Sequence, residues 1–170
     1  MSHERPDRVD STPSHTAGMA DLARRYCVLI ESSDAREPSW LREVAELLPL
    51  LHAAITSLAD SDSVPRDSED LTPDLDARFE LFSHLRGLLG DRDGYWLEFD
   101  RVDDCHAMTG SLADDLTDIY CELKHGLRTI ERHPARALRG WLNGYEFHWR
   151  RHLFDAERHL AMLAAQGRLG

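Results

Sequence analysis

The residues with the most chemical potential sit on two stretches. The first, "TGSLADDLTDIYCELKHGL", runs from Thr109 to Leu127 and places Asp115, Asp118, Glu122 and His125 at spacings of 3, 4 and 3. On a helix these share one row, because neighbours three and four apart lie on the same face. The second, "YEFHWRRHLFDAERHL", places His148, His152, Asp155 and His159 at spacings of 4, 3 and 4. Two histidines four apart can hold one metal ion, with Asp155 as a third ligand. Glu122-x-x-His125 also matches the i, i+3 spacing of di-iron carboxylate bundles. Those sites need a second such pair, and the chain has none; Glu80 and His84, four apart, do not match. The zincin pattern is absent too, because no Glu follows the first histidine. Cys105 and His106 adjoin in "DDCHAM", but a nucleophilic thiol needs its base in space, not in sequence. Gly-rich phosphate loops and serine-hydrolase elbows do not occur.

Both rows belong to helical segments. Leu112, Leu116, Ile119, Leu123, Leu127 and Ile130 form a core face beside the acidic row. Ser111 with Asp114 resembles a capping box opening that helix. Asp114 and Asp115 then suit the positive end of the helix dipole. Trp149, Leu153, Ala156, Leu160 and Leu163 form the core row beside the histidines. If these two helices are antiparallel neighbours, Asp118 and Glu122 meet His148 or His152. Such pairs raise the imidazole pKa and serve stability as well as catalysis.

The remaining chain is helical in period as well. A first helix is expected near Ala17–Ser32. A second has Pro38 in its first turn and carries Leu41, Val44, Leu48, Leu51, Ile55 and Leu58. Pro49 should kink or split it. Thr72 and Pro73 read as cap and first residue of a third, with Leu75, Phe79, Phe82, Leu85 and Leu89 as its core stripe. "YWLEFD" is either a short helix or an extended piece, and "RVDDCHAMTG" is a loop. His133–Pro134 restarts the chain as a long fifth helix, with Gly140 and Gly144 inside it as points of close packing or bending. The expected fold is all-α: an antiparallel bundle of about five helices with a long C-terminal helix. Residues 1–17 read as a disordered tail and 18–166 as one domain, with an acidic loop near 60–72.

The 170 residues carry a formal net charge of -11. Between Asp60 and Asp104, 14 acids face 5 arginines, whereas between Lys124 and His159, 8 bases face 4 acids. An acidic middle and a basic third can complement each other within or between chains. The overall charge makes nucleic acid an unlikely partner. No run approaches the roughly 20 apolar residues of a membrane span. The N-terminus lacks a secretory signal, and three scattered cysteines suit a reducing, cytoplasmic setting.

"LLGDRDGYWLEFD", "GSLADDLTDIYCELKHGL" and "RGWLNGYEFHWRRHLFDAERHL" together resemble an uncharacterised family of bacterial helical proteins, domain of unknown function 5063. The likeness spans roughly Asp21 to Leu163 and is most specific at Ser111–Leu127 and Trp141–Leu160. It implies an all-helical single domain and no assigned reaction, cofactor or catalytic residue. The chain therefore reads as a protein-interaction or binding module. Its partner would be another protein or a second copy in a homodimer, with no cofactor. Asp115, Asp118, Glu122, His125, His148, His152 and Asp155 are the candidate binding residues. The alternative is a metal-dependent enzyme or metal-binding bundle, with Glu122, His125, His148 and His152 as ligands.

Overall fold

The computed structural model describes residues 12–34, 39–59, 74–97 and 108–170, with side chains from residue 17 onward. Pro38, Thr72, Pro73, the acidic segment near 60–72 and Cys105–His106 lie outside the described residues. The helices are α1 (Thr12–Glu31), α2 (Trp40–Ala59), α3 (Leu75–Leu89), α4 (Leu112–Ile130), α5 (Pro134–Gly144) and α6 (Arg150–Ala165). A π turn, Tyr145–Trp149, joins α5 to α6, so residues 134–165 form the expected long final helix with one widened turn. The architecture is all-α. A two-residue antiparallel pair, β1 (Gly94–Tyr95) with β2 (Gly110–Ser111), is the exception among the described residues.

α4 is the central element and packs against α1, α3, α5 and α6. That position explains why its buried set is wider than one stripe. Asp115, Thr117 and Gly126 are buried together with Leu112, Leu116, Ile119, Leu123 and Ile130. Buried polar groups need partners, and those along α4 have them. Tyr26 donates its hydroxyl to the Leu116 carbonyl at 2.9 Å, and Thr117 donates to the Ala113 carbonyl at 2.6 Å. Close approach also needs a missing side chain at Gly126, where a Cβ would collide with the Trp141 indole.

The helix ends follow local chemistry. Ser111 caps α4 by accepting the Asp114 N–H at 3.3 Å. Asp93 reinforces this end of the helix, accepting from Ala113 N at 2.8 Å and from the Ser111 hydroxyl at 3.0 Å. Asp74, not Thr72, caps α3 by accepting from Ala77 N. α1 begins at Thr12, earlier than its apolar stripe suggested.

α2 does not split at Pro49 but continues to Ala59. Val44, Leu48, Leu51 and Ile55 are fully buried on both sides of the proline. At about 1.5–3 kcal/mol per buried side chain, their packing outweighs an interior proline's cost of about 3 kcal/mol. The α3 stripe is only half a core face. Leu85 and Leu89 are buried, but Leu75 and Phe79 are 68% and 66% exposed.

Candidate functional site

The acidic row of α4 faces α3 on one side and α6 on the other. From α3, Arg78 donates through Nε to Asp118 at 2.8 Å and through Nη2 to Asp114 at 2.9 Å. From α6, His152 directs Nδ1 to Asp115 at 2.8 Å and Nε2 to Asp118 at 3.2 Å. Both ring nitrogens face carboxylates, so the ring bridges them best with both protons on. Its pKa is accordingly raised, first by the Asp115 hydrogen bond, against the opposing effect of burial. For Arg78, burial opposes the charge, and Asp118 and Asp114 more than compensate, raising its pKa.

Asp115 is the innermost acid, 4% exposed. Burial raises its pKa, against hydrogen bonds from His152 and Tyr95. The Tyr95 hydroxyl donates to its second oxygen at 2.5 Å, which fixes the short β1 segment against α4. Burial, then the bond to Asp115, pushes the Tyr95 hydroxyl well above its ordinary range.

Glu122 and His148 form a separate pair at 3.4 Å, with His148 largely exposed. Burial raises the Glu122 pKa, opposed by His148. Its carboxylate crowds the place of a Cβ on Gly144, so a side chain there would push the Glu122 carboxylate aside, whereas Gly140 faces open space. The widened turn follows directly after Gly144 and buries Tyr145 and Trp149 while leaving Phe147 and His148 outside. Asp155 is held by Arg158 at 3.2 Å and Arg151 at 3.6 Å. His125 is exposed on the last turns of α4.

His159 belongs to neither group. It is buried, donates Nε2–H to the Arg92 carbonyl at 2.7 Å, and lies 4.7 Å from the Tyr95 ring. Its Nδ1 is buried without a partner. Burial lowers its pKa, so the ring stays neutral. His52, whose contacts the sequence did not suggest, joins α2 to the final helix through Glu157 at 2.9 Å and the Tyr145 hydroxyl at 3.1 Å.

The four proposed metal ligands Glu122, His125, His148 and His152 do not converge. Among the described residues, the three groups whose ligand atoms all lie within 4.8 Å of one another are Asp114, Asp118 and His152. Arg78 already supplies positive charge to both of those aspartates. A cation entering there would have to displace a guanidinium making two charge-assisted hydrogen bonds. Sequence reasoning missed Arg78 and Tyr95 because no local spacing ties them to α4.

The model of the family described as Domain of unknown function (DUF5063) matches residues 10–166. The chain belongs to this family. A DUF5063 fold is also similar to the crystal structure of protein BF1032 from Bacteroides fragilis, a structural genomics target. The TM-score is 0.68 at 18% identity, over 90% of this chain and 94% of that one. That likeness concerns the fold alone. No curated protein matches the chain. Among the described residues, no helix of this DUF5063 protein is long and apolar enough to cross a membrane.

Proposed function

We propose that the chain is a protein-interaction module that binds through the face formed by α3, α4 and α6. The observation that carries this reading is the Arg78–Asp118–His152 bridge. It uses the acids and the imidazolium to hold three helices together. In that cluster Arg78 already pairs with Asp114 and Asp118, and His152 with Asp115 and Asp118. A catalytic acid–base pair needs a group able to exchange its proton with substrate, whereas Asp115 is buried against Tyr95 and His152.

Large apolar side chains stand exposed on the outer helices. Leu75 and Phe79 lie near Arg78 along α3, Phe147 precedes His148 on the final helix, and Phe154 is half-exposed with its ring edge-on to His52 of α2. Exposed apolar groups clustered among charges mark association surfaces more often than catalytic ones. Of the candidate binding residues, His125 and His148 are exposed and Asp118, Glu122 and Asp155 line the surface at intermediate burial. His152 is at intermediate burial as well, and buried Asp115 supports the surface from within.

The test is a photo-crosslinking residue placed at Phe79 or Phe147, with exposed Val28 on α1 as control. In cells that make the protein, positions 79 and 147 should each give a discrete cross-linked protein and position 28 should give none. Absence of cross-links at both 79 and 147 would remove the interaction reading.

A further inference from the structure

We propose that the partner of this surface is a second copy of the chain. Leu75, Asp76, Phe79 and Glu80 of one copy would seat on Phe147, Arg150, Arg151 and Phe154 of the other. The inference rests on the interaction reading above and names its partner.

The α3 side begins with an unmet packing demand. Leu75 and Phe79 lie i, i+4 on an amphipathic helix, yet they are 68% and 66% exposed, while Leu85 and Leu89 further along are buried. Asp76 and Glu80 follow each of them in sequence and are exposed as well. The outer end of α3 is therefore apolar and acidic.

The final helix offers the complement. An open cleft of about 320 Å³ lies between Phe147 and Phe154, with Arg150 and Arg151 in its wall beside Glu146, His148 and Asp155. The Arg150 guanidinium lies 5.9 Å from the Tyr145 ring centre and 6.0 Å from that of Phe154, which holds it on the aromatic surface. The widened turn at 145–149 carries Phe147 outward next to this cleft. Among the described residues the arginines' ion-pair partners are intrahelical and long, Arg150 with exposed Glu146 at 3.5 Å and Arg151 with half-buried Asp155 at 3.6 Å. Pairs of that kind contribute little, so an incoming carboxylate competes with them at low cost. The same weak partners argue against a small free anion, which would have no apolar groups with which to cover Phe147 and Phe154.

One chain thus carries an apolar–acidic surface on α3 and, on the final helix, an apolar cleft with two exposed arginines beside Glu146 and Asp155. Two copies with net charge -11 repel at long range, but complementary patches orient the approach and set the register. Two such contacts related by a two-fold axis close a dimer.

The experiment is light scattering and sedimentation of the purified full chain across concentration and salt. The expected result is a monomer–dimer equilibrium that weakens as salt rises. Glu80→Arg and Arg151→Glu should each weaken the dimer by about tenfold or more. The protein carrying both reversals should recover most of the loss. Phe79→Ser should weaken the dimer comparably, with an unchanged melting temperature when both proteins are melted at a concentration low enough to be monomeric, which separates binding from folding. A monomer at every concentration overturns the proposal, as does a dimer indifferent to all three substitutions. A monomer that still cross-links from positions 79 and 147 to a different protein overturns self-association and leaves the interaction reading standing.

Discussion

Replacing His152 with Gln tests the bridge through its pH dependence. In the native protein the imidazolium is held by Asp115 at 2.8 Å and Asp118 at 3.2 Å. Hydrogen bonds to charged groups contribute about 1.5–3 kcal/mol. The His152 side chain keeps 27% of its surface, and solvent screening places the effect near the lower end, about 1.5 kcal/mol. The sign follows from the direction of the shift. A histidine whose folded pKa is raised contributes its stability fully below the unfolded value of about 6.5 and loses it as pH rises through the folded pKa. His159 acts in the opposite sense. Burial lowers its pKa, so its contribution is lost as pH falls below about 6.5. The raised pKa values of Asp115 and Glu122 act in the acid range. Cys27, pushed up to about 12 by burial, acts only at higher pH. Urea unfolding from about pH 6.5 to pH 8 should therefore show native stability falling by about 1.5 kcal/mol and His152→Gln nearly flat. A variant that keeps the native slope would refute the assignment of a protonated His152 between two carboxylates.

The other predictions concern packing and the α3 contact. Arg78→Met leaves Asp114 and Asp118 without their guanidinium and should cost about 1–2 kcal/mol in urea unfolding, because the site is only partly exposed. Native stability in that variant would show that Arg78 does not hold α3. Gly126→Ala forces a methyl group into the Trp141 indole and should cost about 2–3 kcal/mol, read by the same assay; a neutral result would mean the indole moves aside freely. Leu75→Ser with Phe79→Ser should leave stability within about 0.5 kcal/mol, whereas Leu85→Ala should cost about 2–5 kcal/mol. Equal losses would place the outer half of α3 in the core.

What was legible in the sequence is what local spacing determines. Leu112, Leu116, Ile119 and Leu123 sit on one face of α4 because a 3.6-residue period puts them there, and all four are fully buried. Ser111 caps because its hydroxyl is one turn before an N–H it can accept. The facing of two rows was readable as well, and Asp118 meets His152 while Glu122 meets His148. Long-range partners were not. Arg78 reaches Asp118 across 40 residues and Asp93 reaches Ala113 across 20, and neither leaves a periodic trace. Asp115 reads as a first-turn surface acid, because the position of α4 between several helices is a property of the assembled bundle. The widened turn at Tyr145–Trp149 has no composition of its own, although Gly144 marks where it begins. The α3 stripe misled for a related reason. Periodicity tells that a face is apolar, not which body covers it.

If Arg78 and His152 already neutralise the α4 acids, the cluster they form among the described residues has no vacant cation site to fill. Elemental analysis of untagged protein, purified without chelator, measures this directly. Zinc, iron and manganese should each fall well below stoichiometry. Roughly one equivalent of any of them, bound tightly enough to survive purification, would contradict the bridge and favour a metal-dependent bundle.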